Sequence, residues 1–287
     1  MKVGMSLPQT GDQGGEGGTW EQISRLARMA DTGGADSLWV ADHFFYRDEN
    51  VEIGLHEAFT LLTAVAAVTT KVEIGPLVAC TSFRSAGMLA KIAATMDAVS
   101  GGRVILGVGC GWHEAEYKAF GYPFDHRVGR FEEVVSAVRS LLHGEHVSAT
   151  GKWIQLDDAV LLPPPARPVP LLIASNGPRM LDITARFADA WQAAWYGALN
   201  DQFRTERAAL LAACEAAGRT TPMEIFVGVD VNDEDGEDAR IPCDAGAIAE
   251  ALAGWAAEGV DHVQLRVHPG TKARFETVIE GIQRFRA

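Results

Sequence analysis

Residues able to do chemistry gather at a few points of the chain, each just after a short apolar run. The run Ser37-Leu38-Trp39-Val40-Ala41 ends in Asp42-His43-Phe44-Phe45. A carboxylate beside an imidazole suits acid–base work, because imidazole exchanges protons near neutral pH and a neighbouring group can hold it in place. A purely structural reading stands next to it, with Asp42 capping a turn and His43 packed beside Phe44.

Three further strand ends invite a ligand. Ala79-Cys80-Thr81-Ser82 follows Ile74-Gly75-Pro76-Leu77-Val78. Its small residues leave room for a flat ring against the backbone, or simply make an ordinary strand-to-helix loop. Gly107-Val108-Gly109-Cys110-Gly111-Trp112 reads G-x-G-x-G and lies mid-chain. It therefore departs from the dinucleotide fingerprint G-x-G-x-x-G, and Gly109 and its neighbours permit either a close ligand or a tight bend. In Ser175-Asn176-Gly177-Pro178 the proline suits the first residue of a helix. Ser175, Asn176 and Gly177 would then offer donors at its positive end, as a phosphate cradle or as a plain cap.

Other chemistries lack their residues. The chain has no G-x-x-x-x-G-K-[ST], no G-x-S-x-G and no H-E-x-x-H, and His56-Glu57 and His113-Glu114 both miss the second histidine. Nucleophilic hydrolase and zinc-protease readings are left without support. Cys80, Cys110, Cys214 and Cys243 form no CxxC pair, so free thiols are expected rather than a metal site or a disulfide framework. The acidic stretch Asp233-Glu234-Asp235-Gly236-Glu237-Asp238 has its glycine out of register for a calcium loop and reads as a solvated loop.

These points need a scaffold that brings strand ends together. Apolar runs at 3–7, 37–41, 72–78, 103–108, 170–174, 190–193, 224–229 and 262–267 read as strands buried on both faces. Amphipathic segments alternate with them at 20–30, 57–69, 87–99, 127–142, 179–187, 202–217, 245–257 and 271–285. Thr19 and Gln22 fit a capping box for the first of these, and Gly33-Gly34 fit its end. Eight such units imply an α/β fold, a single (β/α)8 TIM barrel over residues 1–287, whose functional end is the C-terminal mouth of the strands. A doubly wound sheet uses the same units. Residues 147–168, with Pro163-Pro164-Pro165, read as an extended insertion before the fifth strand.

Composition narrows the partners. Of 287 residues, 47% are hydrophobic and the formal net charge is −13, which argues against nucleic acid or an anionic membrane as partner. A small anion held by local N–H groups remains compatible with that charge. No apolar run reaches the roughly 20 residues of a membrane span, and a cytoplasmic protein is expected.

Taken together the strand ends resemble the luciferase-like flavin family, in particular its coenzyme F420-dependent members. The resemblance rests on residues 37–44, on Ala94-Thr95-Met96-Asp97, Ser100-Gly101-Gly102-Arg103 and residues 107–112, and on Phe120-Gly121-Tyr122-Pro123-Phe124, Arg130-Phe131-Glu132-Glu133 and residues 174–178. It implies an oxidoreductase holding F420, or alternatively FMN, at the barrel mouth, with a small-molecule substrate and a homodimeric assembly. By position it gives Asp42 to the ring system and His43 to the reacting carbon. It also implies a bulge with a non-proline cis peptide at Leu77, Val78 and Ala79, with Cys80 alongside, and a phosphate turn at Ser175, Asn176 and Gly177. In the family's sugar-phosphate dehydrogenase a glutamate stands where this chain has Trp112, and an asparagine where it has Ala115. That chemistry is not carried over. Trp112 suggests a more apolar pocket, and Glu114 and Glu116 are expected on an exposed helix start.

Overall fold

The computed structural model describes residues 1–10, 15, 17–47, 52–233 and 240–287. Eight parallel strands carry the fold: β1 (Lys2–Ser6), β2 (Ser37–Val40), β3 (Glu73–Pro76, resumed at Ala79–Cys80), β4 (Leu106–Gly109), β5 (Leu171–Ala174), β6 (Ala190–Tyr196), β7 (Glu224–Val231) and β8 (His262–Val267). Each pairs with its sequence neighbours, and β1 pairs with β8. The ring closes within β3. Its first segment pairs with β2 (Val40 opposite Pro76) and its second with β4 (Cys80 opposite Gly109). The expected (β/α)8 barrel is the observed architecture.

Helices α1 (Trp20–Gly33), α2 (Ala58–Val68), α3 (Ala86–Ser100), α4 (Glu114–Phe120), α5 (Arg127–Leu142), α6 (Pro178–Phe187), α7 (Asp201–Ala216), α8 (Ala245–Ala257) and α9 (Lys272–Arg286) lie along the chain between the strands. In α1 the buried face is Ile23, Leu26, Ala27 and Ala30, and the Thr19–Gln22 capping box forms as the sequence implies. The helix stops at Gly34, whose φ of 103° suits a residue without Cβ.

Three features break the simple alternation. A hairpin of Phe45–Arg47 with Glu52–Gly54 follows β2, and the short α4 follows β4. The insertion before β5 contains an antiparallel hairpin, Val147–Thr150 with Gln155–Ala159. Its tip is tied to α5 by Glu133, which accepts N–H bonds from Lys152, Trp153 and Ile154. Of the acidic stretch read as a solvated loop, only Asp233 is described, accepting from the Cys243 N–H and pairing with Arg274; the rest lies outside the described residues.

The barrel interior is filled from below. Trp39, Ile105, Leu172, Ala190 and Phe226 pack together there. Trp39 fits because its neighbours are glycines: a Cβ on Gly4 or Gly75 would come within 2.8 Å of the indole. Trp39 Nε1 donates to Ser37 Oγ, which lies 2.7 Å from His262 Nε2, all fully buried. Burial pushes His262 down to about 3, so it stays neutral in this apolar floor. Among the described residues no helix is long and apolar enough to cross a membrane.

Candidate active site

Above the floor, the strand ends carry the candidate residues. His43 stands three residues beyond β2, with its side chain 15% exposed. Its Nδ1 lies 2.7 Å from Glu116 Oε2, in the first turn of α4. The other carboxylate oxygen, Oε1, accepts the N–H groups of Phe44 and Phe45. Burial alone would raise the Glu116 carboxyl. The His43 hydrogen bond and charge, with the two backbone N–H groups, outweigh it and hold the group below the ordinary glutamate range. The carboxylate thus fixes both the ring and the loop that carries it, leaving Nε2 for a ligand. This corrects the expectation for Glu116, which is 1% exposed and faces inward; Glu114 is exposed, as expected.

Asp42 is 4% exposed and both its oxygens are engaged. Arg84 donates Nη1 to Oδ2 at 2.7 Å and Nη2 to Oδ1 at 2.9 Å, and the Cys80 N–H also reaches Oδ2. Arg84 further bonds Glu57. These bonds make Asp42 the tie between the ends of β2 and β3. Breaking such a buried pair by removing one partner costs about 3–5 kcal/mol. Cys80 turns its thiol away from the mouth, 3.0 Å from Tyr117 Oη in a cluster with Phe83, and burial pushes it up to about 11.

Between the two segments of β3 lies a shelf. The Leu77–Val78 peptide is cis, where the resemblance implied one. Leu77 packs on the barrel floor, and Val78 seats its two methyls on glycines of β4. A Cβ on Gly107 would lie 3.1 Å from Val78 Cγ1, and one on Gly109 would lie 2.9 Å from Cγ2. Gly109 therefore supports the shelf from below, while Leu77 and Val78 are half-buried at its edge and Ala79 is fully buried behind it.

Beyond β5 the chain turns into α6. Gly177 holds φ at 75° and caps the helix with no side-chain bond, followed by Pro178. The caps of α1, α2, α3, α7, α8 and α9 each give a side-chain acceptor to a first-turn N–H. The starts of α4, α5 and α6 lack such a bond, and at α6 Asn176 and Gly177 are exposed beside the first-turn N–H groups. Ser175 is spent otherwise: Thr184 Oγ1 donates to Met180 O, so Ser175 Oγ donates to Thr184, and Ser175 O accepts from Trp191.

The far wall comes from β6, β7 and β8. The Trp195 ring lies over Gly228, whose Cβ would meet it at 2.7 Å. The Arg266 guanidinium stacks on that ring at 3.9 Å, and its Nε and Nη2 both donate to Asp230. On the His43 side, the Tyr46 ring lies 4.5 Å from that of His43 and stacks on Trp112, which is 63% exposed. Sequence reasoning did not single out Glu116, Tyr46, Asp230 or Arg266 for this mouth. The only signal was a charged residue at the end of β7 and of β8, where an apolar run should continue.

The profile of the luciferase-like monooxygenase family matches residues 1–271. The chain belongs to this family. One luciferase-like relative is an F420-dependent glucose-6-phosphate dehydrogenase of Amycolatopsis mediterranei, 37% identical over 176 residues, 59% of this chain and 52% of that protein. The chain thus matches about half the length of that relative. Another is a phthiodiolone/phenolphthiodiolone dimycocerosates ketoreductase of Mycobacterium kansasii, 30% identical over 271 residues, 84% of this chain and 73% of that protein. An F420-dependent secondary alcohol dehydrogenase, solved with an F420-acetone adduct, superposes with a TM-score of 0.84 over 100% of both chains at 19% identity, a likeness of fold.

Proposed function

We propose that this luciferase-like protein is a coenzyme F420-dependent oxidoreductase, moving a hydride between the deazaflavin and a small organic substrate. The observation that carries this reading is the pairing of a side-chain-poor shelf, Val78 on Gly107 and Gly109, with an uncapped helix end at Gly177 around the same mouth. A planar ring fits the first and a phosphate the second. The F420-dependent relatives and the F420 complex with the same fold support the choice of cofactor.

When bound, the deazaflavin supplies the two-electron chemistry. The chain's own part is to place and protonate. Val78 and Leu77 would support the ring, Asn176 and Gly177 would hold the phosphate, and Asp42 would keep the loop of His43 in place through Arg84. His43, held at Nδ1 by Glu116, would pass a proton at Nε2. Trp112 and Trp195 would exclude water from above. As part of the same proposal the enzyme works in the cytoplasm as a homodimer, which sedimentation equilibrium would check.

Titrating the purified protein with F420 and, separately, with FMN tests the reading. A saturable change in ring fluorescence with F420 is expected. A change with FMN and none with F420 would overturn it in favour of a flavin monooxygenase.

A further inference from the structure

We propose that Gln9 is a positioning residue for His43: its one side-chain amide clasps both roots of the chain excursion that carries the imidazole. This rests on the reading of His43 as the proton carrier of an F420-dependent reaction, and adds the residue that sets its place.

The excursion leaves β2 at Ala41, returns at His56 just ahead of α2, and bears His43, Phe44, Phe45 and Tyr46. Gln9 Oε1 accepts the Ala41 N–H at 2.7 Å. Its Nε2 donates to Ala41 O at 2.9 Å and to His56 O at 3.2 Å. A backbone N–H only donates and a carbonyl only accepts, so these partners fix which end of the amide faces which group. Gln9 is buried, and these three bonds all go to main-chain groups. It therefore acts on the imidazole through the backbone.

The sequence explains why a side chain does this. The Leu7 N–H still donates to Trp39 O, as in the β1–β2 ladder, but Pro8 brings no N–H to carry the ladder on. Gln9 meets Ala41 with its amide as a strand residue would with its backbone. Its own position is held by Pro8, which packs against two glycines. A Cβ on Gly17 or on Gly270 would lie 2.9 Å from Pro8 Cβ.

A second clasp stands one residue along at each root. Arg84 bonds Asp42 and Glu57, the chain neighbours of Ala41 and His56, from the β3 side. Gln9 holds from the β1 side. Further out, the Leu55 N–H donates to Phe44 O and joins the two arms of the excursion. His43 follows the clasped pair Ala41-Asp42 directly, and Glu116 then takes up its ring at Nδ1. Reacting groups work only when the residues behind them lock their geometry.

The ring itself reports the clasp. Glu116 is held in its ionised form and accepts only, so a neutral His43 carries its proton on Nδ1. The test reads that tautomer from the imidazole nitrogen NMR shifts of the full-length protein without cofactor, with the signals assigned by their loss in His43→Gln. The wild type should show the Nδ1–H form. Gln9→Met, similar in volume but without the three bonds, should shift His43 toward the mixed tautomers of an unrestrained imidazole. Gln9→Glu keeps an acceptor for Ala41, loses both donated bonds, and should shift it the same way. His262, down in the barrel floor, should keep its wild-type signals in both variants. A wild-type His43 tautomer in both, or a His262 that shifts along with it, would overturn the proposal. So would fast hydrogen exchange at the Ala41 N–H of the wild type, a measurement that needs no variant to fold. Where F420 binds, its affinity should be the same in Gln9→Met as in the wild type; a loss would assign Gln9 to the cofactor site instead. The tautomer is read without F420, so failure of the cofactor titration would remove the F420 reading and leave this result standing.

Discussion

His43 Nδ1 and Glu116 Oε2 meet at 2.7 Å, although a hairpin, two barrel strands and two helices of the chain lie between them. The carboxylate that orients the ring also accepts the N–H groups of Phe44 and Phe45. Ring orientation and loop conformation are therefore one event.

Two variants separate those roles. His43→Ala is expected to lower turnover by about 10²–10⁴-fold if the imidazole handles the proton. Glu116→Gln keeps one acceptor for the loop and loses the charge beside the ring; orienting partners of this kind carry about 10- to 100-fold of activity. Steady-state kinetics read both, and wild-type turnover in His43→Ala would remove its role. Because the Glu116 carboxyl is held below its ordinary range, its contribution to stability is present above that range and lost as pH falls through the lowered value.

A charge placed at the α6 end should act on the cofactor alone. Asn176→Asp sets a carboxylate beside the bare N–H groups at Gly177. There it competes with a phosphate, and F420 affinity should fall about tenfold by fluorescence titration. Undiminished affinity would place the phosphate elsewhere.

Gly109→Ala probes the shelf. The new methyl would meet Val78 Cγ2 at 2.9 Å and must displace it. Overpacking of this kind costs about 1–3 kcal/mol, visible in thermal unfolding, and the shifted Val78 should weaken F420 binding as well. Gly54→Ala, with open space around it, is the matched control for stability.

The neutral His262 gives the fold an acid-side weakness. Its value is about 3 in the folded protein against an ordinary 6.5, so the unfolded chain binds the extra proton between them. Stability should be complete above the ordinary value and decline as pH falls toward 3, by up to about 1.4 kcal/mol per pH unit. His262→Gln keeps a polar partner for Ser37 and should flatten that stretch of the denaturation curve; an unchanged slope would assign it to other groups.

The barrel was legible because strands buried on both faces leave continuous apolar runs. The run at 262–267 coincides with β8, and the Thr19–Gln22 box marks the start of α1. The strand-end residues followed from that frame. Glu116 was not legible, because α4 has seven residues, too few for a periodic pattern, and it stands between the charged, exposed Glu114 and Lys118. Asp230 and Arg266 escaped notice because their partnership is set by the register of β7 on β8, which pairs those two positions. Ser175 reads in sequence as a ligand donor or a plain cap, and its pairing with Thr184, nine residues on, depends on the turn into α6.

The divided β3 has a consequence for how such a protein can change. Its lower half pairs with β2 and also bonds residues 103 and 105 ahead of β4, its upper half pairs with β4, and the shelf lies between the two. Remodelling that side alters the seam by which the cylinder joins itself. The opposite side stands on the unbroken ladder from Phe226 and His262 to Val231 and Val267. New substrate preferences can accumulate there, at the positions of Asp230 and Arg266, without reopening the ring.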